Sequence, residues 1–476
     1  MDESFETMQT TSEEKPGGDI CNLRDKGQRD SSERAGGWGS LPDVCLRHVF
    51  RCLSDEDRVS ADLVSRHWHQ VMHSPSLWRF RFFHFSGRLS KYTQSEYCSA
   101  VAYARSLGVY LESLEVCLCP PRKSSIARRL EQTLTGLLSE LTSVKAPLRS
   151  LSIVKMELER TPWTASLRSS IVHSLIEFLQ TGGSKLTSVC LNGMRNSLPH
   201  GLEVLSALAL SQTRLTPRCY ISSLDLRGFF SGSLANVHLN PRVPCILCQL
   251  PGLTYLTLSY SWLSDELLTA LQYRGQQEQG RHGNPLQSLS LHCSLHEPHQ
   301  QLVFGSSWSN LVSTCPELKV RITVEQVIDT NRLARILLPE IPLTEFDMTG
   351  SYSTDEDWSA KPVLRDLLPQ YRRSLQFLSL DLRNSEESLD EELLHLVKVC
   401  ERLEQLRVWA FLDLRTMERL LHMRLTKRSL LNKIKVRIYS MEDEIEEKEE
   451  QLEQILCPYL GLPPELDLYV MVYPFV

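Results

Sequence analysis

The chain has 476 residues, 42% of them hydrophobic, which exceeds one compact domain and is ample for a core. Its 52 Lys+Arg against 58 Asp+Glu give a net charge of -6, which makes no general case for nucleic acid or a membrane surface and points to protein partners. No apolar run approaches the roughly 20 residues of a membrane helix, the start lacks the basic-then-apolar order of a signal peptide, and the 14 cysteines are scattered. A reduced, cytoplasmic or nuclear setting is expected, and secretion is not.

Residues 1–37 are polar, charged and rich in Gly and Ser, with almost nothing to bury, and are expected to form a disordered tail. From Leu41 the pattern changes. Pro42 fixes a helical φ and lacks the N–H that a first turn leaves unpaired, so it marks a helix start. Leu46, Val49, Phe50 and Leu53 then fall at i, i+3, i+4 and i+7 on one face. A second helix is expected from about Asp57, with Val59, Leu63, Val64 and Trp68 inward.

The order Leu41-Pro42-Asp43, Asp57-Arg58, Val64-Ser65-Arg66, Trp68 and Leu77-Trp78 resembles the F-box family, placed here at 38–84. The resemblance implies a small helical module that docks on the S-phase kinase-associated adaptor protein. Leu41, Pro42, Leu46, Val49, Phe50, Leu53, Val59, Val64 and Trp68 carry that role. Through the adaptor it implies a cullin scaffold with a RING subunit, a non-catalytic receptor for an unidentified protein substrate, and ubiquitination with proteasomal degradation as the outcome. A repeat scaffold that binds the adaptor or other proteins without degradation is the alternative. Cys45 and Arg58 depart from the family's apolar pattern and are expected to weaken adaptor affinity.

Beyond residue 110 one idea repeats. Leu111-x-x-Leu114-x-Val116 recurs from Leu148, Leu186, Ile221, Leu253, Leu286, Cys315, Leu343, Leu375, Leu403 and Leu431, with starts about 28 to 38 residues apart. Helix periodicity fills the intervals, as in Ile126, Leu130, Leu134, Leu137, Leu138 and Leu141. Each unit reads as strand, loop, helix, and the array resembles leucine-rich repeats. Such a unit cannot bury its apolar face alone, so stacking supplies the core.

The expected fold is therefore α/β: a helical F-box, a linker and N-terminal cap over 85–110, and an irregular leucine-rich-repeat solenoid over 111–476. Its parallel strands line a concave face with the helices outside. Asn192 is expected at a turn, 442–453 as a solvated acidic insertion, and Leu466 to Val472 as a closing strand.

Strand side chains alternate, so the third and fifth hexamer residues and the one after face away from the core. Early repeats then present Ser113, Glu115, Ser150, Ser152, Ser188, Ser223 and Asp225, a small and polar surface. Aromatic and Arg side chains dominate interface energies, which makes Tyr255, Phe377, Arg407 and Trp409 the candidate substrate-binding region, with Lys433, Lys435 and Arg437 as a basic strand for an acidic or phosphorylated segment. Trp409 also suits the core.

No nucleophile elbow, phosphate loop or His-Glu-x-x-His helix is present. His292, Cys293, His296 and His299 lack familiar zinc spacing, and Cys245-x-x-Cys248 lacks the second pair of a zinc site, so ordinary buried thiols are expected there. The sequence implies neither cofactor nor metal.

Overall fold

The computed structural model describes residues 41–475, apart from residue 54 and residues 89–94, 214–219, 233–236, 274–283, 296, 298, 327–328, 352–357, 386, 427 and 460–465. The expected tail over 1–37 lies outside the described residues. The chain divides into two compact units, one ending at Leu77 and the other beginning at Trp78.

The first unit holds helices α1 (Asp43–Arg51), α2 (Asp55–Asp62) and α3 (Arg66–Met72). Pro42 stands at the N-cap of α1, and its carbonyl accepts the first helical bond from Leu46 N. The Ser65 hydroxyl caps α3 by accepting from Trp68 N at 3.1 Å. Leu46 and Phe50 are fully buried, and the Phe50 ring meets Trp68 edge-on at 5.1 Å.

Arg58 is not a polar intruder in an apolar site. Its guanidinium donates to Phe50 O at 3.0 Å, Arg51 O at 3.3 Å and Leu77 O at 3.4 Å. A cation on the orphan carbonyls at the C-terminus of α1 complements the helix dipole.

The second unit contains strands β1 (Phe80–Phe85), β2 (Ser113–Leu118), β3 (Ser150–Val154), β4 (Ser188–Cys190), β5 (Ser223–Leu226), β6 (Tyr255–Ser259), β7 (Ser288–Ser294), β8 (Lys319–Glu325), β9 (Leu343–Ser351), β10 (Phe377–Arg383), β11 (Gln405–Ala410), β12 (Lys433–Ser440) and β13 (Asp467–Pro474). All pair in parallel and in sequence order within one sheet. Helices occupy most connections: α4 (Glu96–Leu107), α5 (Ser124–Ser143), α6 (Ala165–Gly182), α7 (Leu198–Thr213), α8 (Arg242–Cys248), α9 (Asp265–Gln272), α10 (Gly305–Thr314), α11 (Thr330–Ile336), α12 (Asp390–Val399), α13 (Leu414–Leu425) and α14 (Ile445–Leu456).

Stacking builds the core as continuous rows. Leu291, Ile322, Phe346, Leu378, Leu406 and Ile434 stand opposite one another across six strands, and all are buried against the helices. The alternate residues form an open, helix-free face. Each Leu buried in such a row contributes about 1.5–3 kcal/mol relative to exposure.

Several expectations are corrected. The repeats begin at β1, whose Phe83 and Phe85 are buried, so the array starts inside the segment assigned to the F-box. The segment expected as a linker is the crossover after β1. There the Glu96 carboxylate, at the start of α4, accepts from Ser86 N, Gly87 N and the Ser86 hydroxyl at 2.7–2.8 Å.

The acidic run is no insertion. It is the crossover helix α14 with its preceding turn, and Leu452 is its buried anchor. The hexamers also lose register. Val320, sixth in its hexamer, stands opposite Leu289, fourth in the one before, and a bulge at Thr344 shifts the register between the paired strands β8 and β9.

Asn192 stands half-buried in the turn after β4, as expected, and the fully buried asparagines are Asn196 and Asn384. Asn384 both donates to Phe411 O at 3.0 Å and accepts from Phe411 N at 2.9 Å in the next repeat. Cys245 is exposed and Cys248 half-buried on α8, so the thiols expected to be buried are not.

Candidate docking surfaces

In the first unit the residues expected to carry docking divide by burial. Leu46 and Phe50 are core; Leu41, Leu53 and Trp68 are half-buried; Pro42, Val49 and Val64 are exposed; the side chain of Val59 lies outside the described residues. Leu63, expected inward, is 81% exposed, next to Val64 at 61%. Val44 and Cys45 on α1 are exposed too. Val44, Val49, Leu63 and Val64 thus present apolar surface that the described fold leaves uncovered, least of it at Val49.

The same unit gathers Asp62, His69 and His73, each with one ligand atom within 4.8 Å of the others. Asp62 Oδ1 lies 3.0 Å from His69 Nδ1, and His73 Nδ1 is bonded to His69 O at 2.8 Å. That bond assigns the His73 ring to helix capping.

On the open face, Tyr255 does not join the other candidates. It sits on β6, four strands from Phe377 on β10, which is roughly 19 Å at about 4.8 Å per strand. It borders a separate groove of about 510 Å³ with Ser288, Ser290, Lys319, Arg321 and Glu345. Arg321 there is engaged by Glu345 at 3.3 Å.

The late strands form a second patch. Trp409 is half-buried on the open face rather than in the core. The Arg407 guanidinium lies 3.9 Å and the Arg437 guanidinium 4.3 Å from its ring centroid. In register, Arg407 stands opposite Lys435, Trp409 opposite Arg437, and Phe377 opposite Gln405.

Lys433 is held by Asp467 at 3.6 Å. Tyr439 donates to Asp381 Oδ1 at 3.0 Å, and burial, then the Asp381 charge, push its hydroxyl up to about 12. Phe411, Tyr439, Tyr473 and Phe475 pack their rings at the end of this patch.

The residues with metal-like spacing diverge. His292 reaches Glu325 at 3.0 Å on the open face, and this bond lowers the Glu325 pKa. Cys293 is buried on the opposite face, where desolvation raises its thiol pKa. His299 is buried, and desolvation followed by Arg332 and His292 lowers its pKa to about 4. His296 lies outside the described residues.

Residues 38–84 match the F-box-like family model. F-box/LRR-repeat protein 21 of Ovis aries is 23% identical over 78% of this chain and 76% of its own length. The Mus musculus protein of the same name is 22% identical over 78% and 76%. Among solved structures, the yeast Rad7 and Elc1 complex contains a chain 16% identical with a TM-score of 0.39, covering 84% of this chain and 88% of that one. The leucine-rich repeat-containing protein LegL7 from Legionella pneumophila is 14% identical with a TM-score of 0.34, covering 74% and 89%.

The chain thus combines an F-box-like segment with a parallel, strand-per-repeat array, and is similar to the F-box/LRR-repeat relatives named above. No described helix is long and apolar enough to cross a membrane.

Proposed function

We propose that this chain is the substrate-recruiting subunit of a ubiquitin ligase built on a Skp1-type adaptor, a cullin and a RING subunit. The observation that carries it is the coincidence of the F-box-like match with a small helical unit that exposes Val44, Val49, Leu63 and Val64. That unit docks on the adaptor, and the open face of the late strands recruits a target protein. Phe377, Arg407, Trp409, Lys433, Lys435 and Arg437 are the proposed target contacts, with Tyr255 in a separate groove.

The chain supplies no chemistry of its own in this role. Holding a target lysine near a ubiquitin thioester raises its effective concentration, and proximity accounts for the transfer. Degradation follows in the cytoplasm or nucleus. The phrases Leu41 to Phe50, Phe85 to Arg88, Arg332 to Leu338, Ser388 to Leu393 and Trp409 to Asp413 also resemble F-box only protein 39, the particular likeness proposed within this class.

The test is capture of the purified adaptor by the full chain, beside Leu63→Asp with Val64→Asp. Both sites are exposed, so the doubly substituted chain keeps its fold and loses the adaptor. Equal capture by both chains would overturn the docking assignment.

A further inference from the structure

The open face of β11 and β12 carries cations that the fold leaves without anions. We infer that it binds an extended peptide segment bearing carboxylates at alternate positions. This deepens the recruiting role above and rests on it by naming the chemistry of the target.

Arg407, Lys435 and Arg437 make no ion pair with any described residue, whereas Lys433, Arg321 and His292 on the same face each have a carboxylate. Two guanidinium groups lie over the one indole of Trp409. That contact orients them and lowers their mobility, but a ring face accepts none of their in-plane N–H groups, which remain available for bidentate bonds to an anion. The Nε of Arg437 is sequestered from solvent with no acceptor, an arrangement that disfavours the free state. Asp381, on the same register row as Trp409, is already engaged by the Tyr439 hydroxyl.

Spacing selects the ligand. Lys435 and Arg437 are two residues apart on β12, roughly 6.7 Å along the strand, and side chains on one side of an extended peptide repeat at the same interval. A single phosphate is smaller than that span, whereas two carboxylates at i and i+2 match it. The ring cluster of Phe411, Tyr439, Tyr473 and Phe475 begins one further step along, so an apolar side chain follows the second carboxylate.

The test is fluorescence polarisation with the full chain and a fluorescein-labelled peptide carrying Ser-Glu-Ser-Glu-Ser-Leu. Its companions are the same peptide with Gln for Glu, and one with a single phosphoserine and no Glu. The Glu peptide binds about tenfold tighter than the Gln peptide, and added salt weakens it.

Lys435→Gln and Arg437→Gln each reduce affinity about fivefold or more, Lys435→Arg restores it, and Lys319→Gln in the other groove leaves it unchanged. Circular dichroism verifies that each variant is folded. Equal affinity for Glu and Gln peptides, or binding of the phosphoserine peptide alone, would overturn the inference. Adaptor capture is measured in the same preparation: peptide binding retained without adaptor capture refutes the ligase reading but not the carboxylate site, and the reverse result refutes only the site.

Discussion

The two halves of the open face share one architecture and differ in everything a partner would touch. On β2 to β5 the face carries a row of serines, Ser113, Ser150, Ser188 and Ser223, and beside it a row of Glu115, Ser152, Cys190 and Asp225, over buried Leu114, Leu151, Val189 and Leu224. On β10 to β12 the buried rows are the same kind of residue, yet the face carries Phe377, Arg407, Trp409, Lys435 and Arg437. Stacking constrains only the side turned to the helices, so the other side is free to specialise. Stability is spread along the array, and the recognition proposed above is concentrated at its C-terminal end.

The largest effects sharpen the shared part of that comparison. Leu151→Ala in the early half and Leu406→Ala in the late half each cost about 2–5 kcal/mol in denaturant unfolding. A loss confined to one half would mean that the core is not uniform. The next effect is acid sensitivity between the halves. His299 stays neutral in the folded chain down to about pH 4, while an unfolded histidine protonates near its ordinary value of 6.5. Stability that is complete above pH 6.5 is thus lost as pH falls towards 4, by up to about 3 kcal/mol. His299→Gln flattens that dependence in unfolding curves recorded across the window.

Asn384→Ala removes the clamp between two late turns and costs about 2 kcal/mol, read as a lowered melting temperature. Trp409→Ala costs about 1–2 kcal/mol because the ring is only partly buried, and it frees Arg407 and Arg437 and abolishes Glu-peptide binding. The smallest effect lies in the early half, where Ser152→Ala shifts unfolding by less than about 0.5 kcal/mol and leaves peptide binding unchanged.

Much of this organisation is legible in the sequence. The eleven hexamers locate β2 to β12, and the alternation from Leu466 locates β13. Strand β1 escapes notice because Phe80 to Phe85 has no leucine framework. The slip at β8 escapes as well, since Cys315, Leu318 and Val320 satisfy the hexamer in a frame that the neighbouring strands do not use. A one-dimensional pattern carries period but not register.

The candidate sites are read less completely. Periodicity places Leu63 and Val64 on an inward stripe, but a three-helix unit is too small to cover every apolar residue, and both remain exposed. Tyr255 and Phe377 both occupy the third position of their hexamers, yet they lie four strands apart. Arg58 looks like a defect in an apolar pattern until its three carbonyl partners are seen. The pairing of Arg407 and Arg437 on one indole depends on cross-strand register, and no single strand reveals it.

The central claim is that docking and recruitment occupy different units. It is tested most directly by immunoprecipitating the full chain, the Leu63→Asp/Val64→Asp chain and the Lys435→Gln/Arg437→Gln chain, and measuring adaptor and co-bound ubiquitinated protein in each. The account predicts that the first variant loses the adaptor while keeping other bound protein, and that the second keeps the adaptor while losing that protein. Loss of both from either folded variant, or of neither from both, would contradict it.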